Sequence, residues 1–432
     1  MEPNLLFAAV LEEAGFSHAG LAARVNEAGR SRDITLRYDH ASVLRWLRGQ
    51  RPQDPVPEVL CEVFGRRLRR TVRAADIGLA GPRPRADDAA PGRMAALWQA
   101  DGRGSERLLT LQPEWGPGAL LPVWQWRRAD ALALGEEGDP RLPGAAREHY
   151  ERMYRQVGGV ATRLRVVSYL SAEVGPLLRT GQDGADGRLL SRSAGSLAAL
   201  AGVCAYDSDL HGLAQRYFTQ ALRLSARAGD RPLGAYAIGL MAQQALTLRH
   251  YSQALACTDA ALDGDPRWLS PALATDVYAM RAKAYAAQGD AASARAAARA
   301  AQAMAALIGS RAEPAETDYV ERGRVEALLA ETFLGLGELW QARLHAERAA
   351  AADGHTRGRV HRLAVLARVR LRQGEPEEAA RLVAPMLAAG TGMESTRLRD
   401  RYRLLRRELG GYDAAISRSA VERIDEALRI PL

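Results

Sequence analysis

The side chains best suited to act on a partner cluster near the start of the chain: His40, Ser42, Arg45, Arg48 and Arg51. Val43 and Trp46, three residues apart, share one face of a helix, which turns His40, Ser42 and Arg45 to the other, with Arg48 and Arg51 beyond. Short polar and basic side chains near a helix N-terminus reach base edges, and arginine binds guanine bidentately or neutralises phosphate. Between Ser17 and Pro52 seven arginines stand against three acids. The spacing predicts double-stranded DNA as the partner here, with His40, Ser42 and Arg45 reading bases and Arg48 and Arg51 on phosphate. A solvated basic helix in a structural bundle is the plainer alternative.

Chemistry of other kinds is poorly provided for. There is no H-E-x-x-H, no G-x-S-x-G and no G-x-x-x-x-G-K-S/T, and Lys283, the only lysine, follows no glycine-rich loop. Asp183-Gly184-Ala185-Asp186-Gly187 is reminiscent of a calcium loop, but Ala194 stands where a bidentate glutamate is needed. His355 and His361 lack further ligands in register. Cys61, Cys204 and Cys257 are far apart and odd in number, which suits small buried hydrophobes rather than disulfides. No enzyme activity, cofactor or metal is expected.

The elements that must carry these residues are helices. Apolar residues make up 47% and aromatics only 6% of 432 residues, and the formal charge is +8, which permits an anionic partner without demanding one. The expected class is all-α, with a small helix-turn-helix domain at 1–80, a linker and irregular segment at 81–119, and a helical-repeat domain at 120–432. In the head, Leu5, Leu6, Ala9 and Val10 suggest one buried stripe. Ser17 suits the N-cap of a helix carrying Leu21, Ala22 and Val25. Val59, Leu60, Val63 and Phe64 mark another helix, and Thr71 to Leu79 a fifth. Gly81 to Gly92 is too rich in Pro, Gly and charge to bury much surface. Trp98, Trp115, Trp124 and Trp126 then suggest one helix and an irregular stretch packed on the body.

Beyond residue 145 the pattern is helical with a loose repeat near 40 residues, punctuated by Gly-acid pairs at Gly229-Asp230, Gly289-Asp290, Gly337-Glu338 and Gly374-Glu375, with small residues such as Ala294 and Ala298, Ala342 and Ala346, or Ala379 and Ala380 following. Helix pairs of this kind stack into a solenoid whose first helices line a concave face. On those helices Tyr236, Gln243, Tyr278, Arg281, Tyr285, Arg324 and Arg362 would form a groove for a peptide or an acidic protein segment. The helix Thr356 to Gln373 carries six arginines and no acid. They would serve an anionic ligand, or pair with Glu338, Glu347, Glu375, Glu377 and Glu378 on neighbouring helices. The run Arg66, Arg67, Arg69, Arg70 and Arg73 offers phosphate contacts or a salt-bridged surface.

The stretch His40 to Pro52 resembles the third helix and following turn of Cro/lambda-repressor-like regulators, the xenobiotic-response-element class. Val43, Arg45, Trp46, Gly49, Arg51 and Pro52 fit that pattern, and Ser17, His18, Leu21 and Ala22 look like the start of the family's second helix. The interval from Ala28 to Asp39 is longer than the family's tight turn. The body's spacing resembles tetratricopeptide repeats. The combination is similar to peptide-responsive quorum-sensing regulators and to actinomycete regulators of development and antibiotic production. The resemblance implies a transcription regulator whose repeat domain forms a homodimer and senses a peptide, small molecule or protein. A repeat scaffold whose head does not bind DNA is the alternative. With no basic leader, and a longest uncharged run of 17 residues, Pro232 to Leu248, that includes Gln243 and Gln244, a cytoplasmic protein with no membrane segment is expected.

Overall fold

The computed structural model describes residues 4–30, 36–50, 52, 56–68, 72, 76–79, 90–115, 144–180, 184–263 and 269–430. Among these every regular element is a helix, and the chain divides into two compact units, Met1–Ala90 and Pro91–Leu432.

The head consists of α1 (Leu5–Glu13), α2 (His18–Arg30), α3 (His40–Leu47) and α4 (Val56–Leu68). Asn4 joins its two ends: Oδ1 accepts from the Phe7 amide, while Nδ2 donates to the Ile77 carbonyl at 3.0 Å. Phe7 meets Trp46 and Phe64 edge-to-face, with centroids 6.2 and 5.7 Å away, an arrangement favoured by the ring quadrupoles. Two expectations need correcting. The buried stripe of α1 is Phe7, Val10, Leu11 and Ala14, while Leu6 is 55% exposed. Adjacent apolar residues permit either stripe, and the three-ring cluster selects the one containing Phe7. Residues 76–78 form a turn rather than part of a fifth helix, although Val72, Ile77 and Leu79 are buried.

The body starts earlier than residue 120. Helix α5 (Ala90–Gly102) lies inside it. Trp98 is fully buried, its Nε1 donating to Gln220 at 2.8 Å. Asp101, also fully buried, accepts from the Tyr217 hydroxyl at 2.7 Å and pairs with Arg163. Residues 111–115 are non-helical, and the Glu114 amide and carbonyl bond the Gln215 side chain, both at 2.9 Å. Trp115 stacks on His250; Trp124 and Trp126 lie outside the described residues.

Next come α6 (Gly144–Val157) and α7 (Gly159–Tyr169), then a series of hairpins. These are α8 (Gly184–Asp207) with α9 (His211–Ala228), α10 (Arg231–Thr247) with α11 (Tyr251–Leu262), and α12 (Pro271–Ala287) with α13 (Ala291–Ala305). They continue with α14 (Arg322–Gly335) and α15 (Leu339–Ala351), α16 (Thr356–Arg372) with α17 (Pro376–Arg381) and α18 (Val383–Gly390), and α19 (Thr396–Leu409) with α20 (Ala415–Arg429). The Gly-acid pairs behave as the sequence predicts. Gly229 and Gly289 have φ +70° and +82°, and Asp230 and Asp290 accept from the amides of Leu233 and Ser293. In these two pairs one residue ends a helix in the left-handed region and the next caps its successor, whereas Glu338 and Glu375, also at N-cap positions after left-handed glycines, make no side-chain cap. First helices also touch the first helices of neighbouring pairs, giving a solenoid-like stack. Only α8 is long and apolar enough to cross a membrane among the described residues, and 83% of its apolar window is buried in the body.

The stack closes on itself. Glu394 donates to the Val157 carbonyl at 2.8 Å and accepts from the Val160 amide at 3.2 Å. Asp207, at the end of α8, accepts from the Gly159 amide at 2.8 Å and the Ser395 hydroxyl at 2.7 Å, and pairs with Arg357. Gly158 has φ +90°, and a Cβ there would lie 2.3 Å from the Glu394 carbonyl oxygen. Only glycine admits this approach.

Candidate functional site

The residues expected to meet DNA are divided by the fold. Asp39 caps α3, its carboxylate accepting from both the amide and the hydroxyl of Ser42 at 2.9 and 2.8 Å. Those hydrogen bonds, the hydroxyl's first, hold its pKa below the usual carboxylate value. Ser42 is therefore buried, 3% exposed, and also accepts from Arg45 at 2.9 Å. This corrects the expectation that it faces outward: a residue three beyond an aspartate N-cap is drawn into the cap. His40, Arg45 and Arg48 are exposed, whereas Val43 and Trp46 are core. Ser17 caps α2, accepting from the Gly20 amide at 3.1 Å, and His18 is half-buried. Arg51 lies outside the described residues. The long interval between α2 and α3 is fastened at its far end, where Asn26 donates to the Tyr38 carbonyl at 2.8 Å and accepts from its amide at 2.9 Å. Tyr38 in turn lies 5.1 Å from the Trp46 ring. Arg66 pairs with Glu62, and Arg67 donates to the Ala14 carbonyl at 3.0 Å; Arg69, Arg70 and Arg73 are outside the described residues.

The body bears a partly open cavity of about 640 Å³, lined by α6 and by the first helices of the hairpins. That size is typical of small-molecule sites. Tyr236, Gln243, Arg324 and Arg362 line it, as expected. Tyr278, Arg281 and Tyr285 do not. Tyr278 packs against the alanine-rich cluster that includes Ala297, Ala298 and Ala301. Arg281 pairs with Asp259 on α11 at 2.9 Å and lies over the Tyr285 ring. Apolar and polar residues alternate around α12 without a clear stripe, so periodicity could not choose its inner face. That face carries Asp276 and Lys283, which sequence reasoning missed.

Ten cations and five carboxylates line the wall, and every carboxylate already has a partner. Glu151 is held by Arg147, Asp276 by Arg324 at 2.8 Å, and Glu321 by Arg362 at 3.5 Å. Glu331 takes Lys283 at 2.7 Å and Asp400 takes Arg403 at 2.6 Å. Although burial opposes its charge, Glu331 stays well below the usual carboxylate range because Lys283, His361 and Arg401 surround it. His361 is pushed well below the usual histidine value by burial and by Arg401, and its Nδ1 has no hydrogen-bond partner. Among the described residues neither Arg397 nor Arg401 has a carboxylate within ion-pair distance. Arg397 sits 4.0 Å from the centroid of the Tyr206 ring. Burial first, then opposition from Arg397 and Arg357, brings Arg401 down to about 10 against the pull of Glu331. Arg357 spends Nη2 on Asp207 and leaves Nη1 buried without a partner. None of these roles was legible beforehand, except that α16 is arginine-rich. Of the expected acids on neighbouring helices only Glu347 and Glu375 pair with it, both through Arg370.

Cys204 and Cys257 are buried free thiols, and burial pushes Cys257 up to about 12. Neither carries nucleophilic character.

Residues 7–80 match the family described as the SP15 N-terminal domain. That match covers the head alone. No curated protein matches the chain.

Proposed function

We propose that the chain is a DNA-binding transcription regulator whose solenoid-like body receives a signal. The observation that carries this reading is the two-sided character of α3, with Val43 and Trp46 sealed in the head core and His40, Arg45 and Arg48 left outside. A recognition helix needs that division, because its inner face must be fixed before its outer face can be read against base edges. Arg45 is the base-reading candidate and Arg48, just past the helix, the phosphate contact. A cytoplasmic location and pairing of two chains through the body belong to the same reading, since one head of this size buries little surface on a duplex.

The test is selection of a duplex from a random pool by the full chain, followed by anisotropy titrations. Arg45→Ala should weaken the selected duplex by about 1–3 kcal/mol while far-UV circular dichroism stays unchanged. Full retention of affinity and preference would remove α3 from the assignment. The alternative, a protein-interaction scaffold whose head stays off DNA, draws support from the exposed Asp39 carboxylate at the start of α3 and from the burial of Ser42. It requires that no sequence be enriched.

A further inference from the structure

The body cavity has the composition of a site whose occupant is a multiply charged anion. Its carboxylates are each paired with another side chain, so Arg397 and Arg401 have no carboxylate within ion-pair distance, Arg401 feeling Glu331 only from farther off, and the Nη1 of Arg357 is free on the same chamber. Arg397 and Arg401 are half-buried, and a cation drawn out of water is ordinarily paired, because the lost hydration costs free energy unless an opposite charge replaces it. Arg397 and Arg401 bring two charges without an ion-pair partner to one chamber, and Arg357, whose charge is met by Asp207, adds a free N–H donor at Nη1. Planar guanidinium forks bind phosphate oxygens in bidentate fashion. The same cavity presents Val203, Leu240, Leu246 and Leu404, so an occupant with an apolar part as well as a charged end is accommodated. The chamber is about 640 Å³ and partly open, on a stack whose ends are joined through Asp207 and the Val157–Glu394 contact. A long extended peptide needs a groove open at both ends; this chamber suits a compact ligand.

We propose that the body cavity binds a small organic molecule bearing a diphosphate-type group, gripped by Arg357, Arg397 and Arg401. The regulatory use of such binding rests on the function proposed above; the binding itself does not, and it is tested without DNA.

The experiment is calorimetric titration of the full chain with inorganic pyrophosphate at constant ionic strength. Arg401→Gln and Arg397→Gln are compared with Arg343→Gln, which removes a charge paired with Glu347 away from the cavity. One saturable site per chain is expected. Each cavity variant should weaken it at least about tenfold, since a lost charge-assisted hydrogen bond is worth roughly that much, and Arg343→Gln should leave it unchanged. Should Arg401→Gln lose its circular dichroism spectrum, Arg397→Gln decides. Three results would overturn the proposal: no saturable heat at millimolar pyrophosphate, wild-type affinity in the folded cavity variants, or citrate binding as tightly as pyrophosphate.

Discussion

Removing a half-buried charge from the cavity should make the empty protein more stable, and Arg401→Met is the cleanest case. The guanidinium of Arg401 is lowered from the ordinary arginine value to about 10, by burial first and then by Arg397, with Glu331 opposing. At neutral pH the side chain stays protonated, so the depression expresses a free-energy cost on the cation and not a loss of its proton. For a base lowered on folding, that cost is fully present below the folded value and fades only as pH rises beyond about 10. Each tenfold change in protonation equilibrium corresponds to about 1.4 kcal/mol, which gives a cost of about 3 kcal/mol at neutral pH. Methionine keeps most of the apolar stem and discards the charge. With an unfolding entropy of about 2.1 cal/mol/K per residue, a unit as long as the body should gain roughly 4 °C. Differential scanning calorimetry of the full chain, with Arg403→Met as a surface control, measures this directly. A fall in Tm of similar size would refute the reasoning, because it would mean that Glu331 makes Arg401 a net stabilising ion.

Three further outcomes are expected. His361, His211 and His355 all lie below the usual histidine value, with burial as the largest cause. The unfolded chain therefore binds more protons below about pH 6.5, and stability should fall with acidification there by up to about 1.4 kcal/mol per pH unit per histidine. Denaturant midpoints that stay flat from neutrality to mild acid would contradict this. Asp101→Ala leaves Arg163 buried and unpaired and the Tyr217 hydroxyl without its acceptor; a loss of roughly 3–5 kcal/mol should follow, and an unchanged melting curve would show that the pair adds nothing. Gly158→Ala forces a Cβ against the Glu394 carbonyl at a positive φ. Hydrogen exchange at Val160 and Glu394 should then accelerate, whereas unaltered protection would mean the closure tolerates a side chain.

Much of the architecture was legible along the chain. The recurring Gly-acid pairs marked where helices end and begin, because a left-handed glycine, joined at Asp230 and Asp290 by a carboxylate N-cap, is satisfied by backbone only a few residues away. In α3, Val43 and Trp46 gave the inner face by their i, i+3 spacing, and Leu44 and Leu47 flank it half-buried. The first helices of the hairpins were assigned to the concave side by the logic of stacking, and Tyr236, Gln243, Arg324 and Arg362 were found on it.

Other features needed the tertiary structure. Whether Leu6 or Phe7 turned inward depended on Phe64, which lies far along the chain. Segment 90–115, rich in loop-forming residues at its edges, joined the body because Trp98 and Asp101 find partners on α9. Closure of the stack required Gly158, Asp207 and Ser395 to meet across long stretches of sequence. The unpaired state of Arg397 and Arg401 was likewise invisible, because a charge is paired or unpaired only relative to neighbours the fold supplies. Local sequence governs interactions between groups already near one another; long-range packing decides which charges face a shared cavity and which of them are left without an answer.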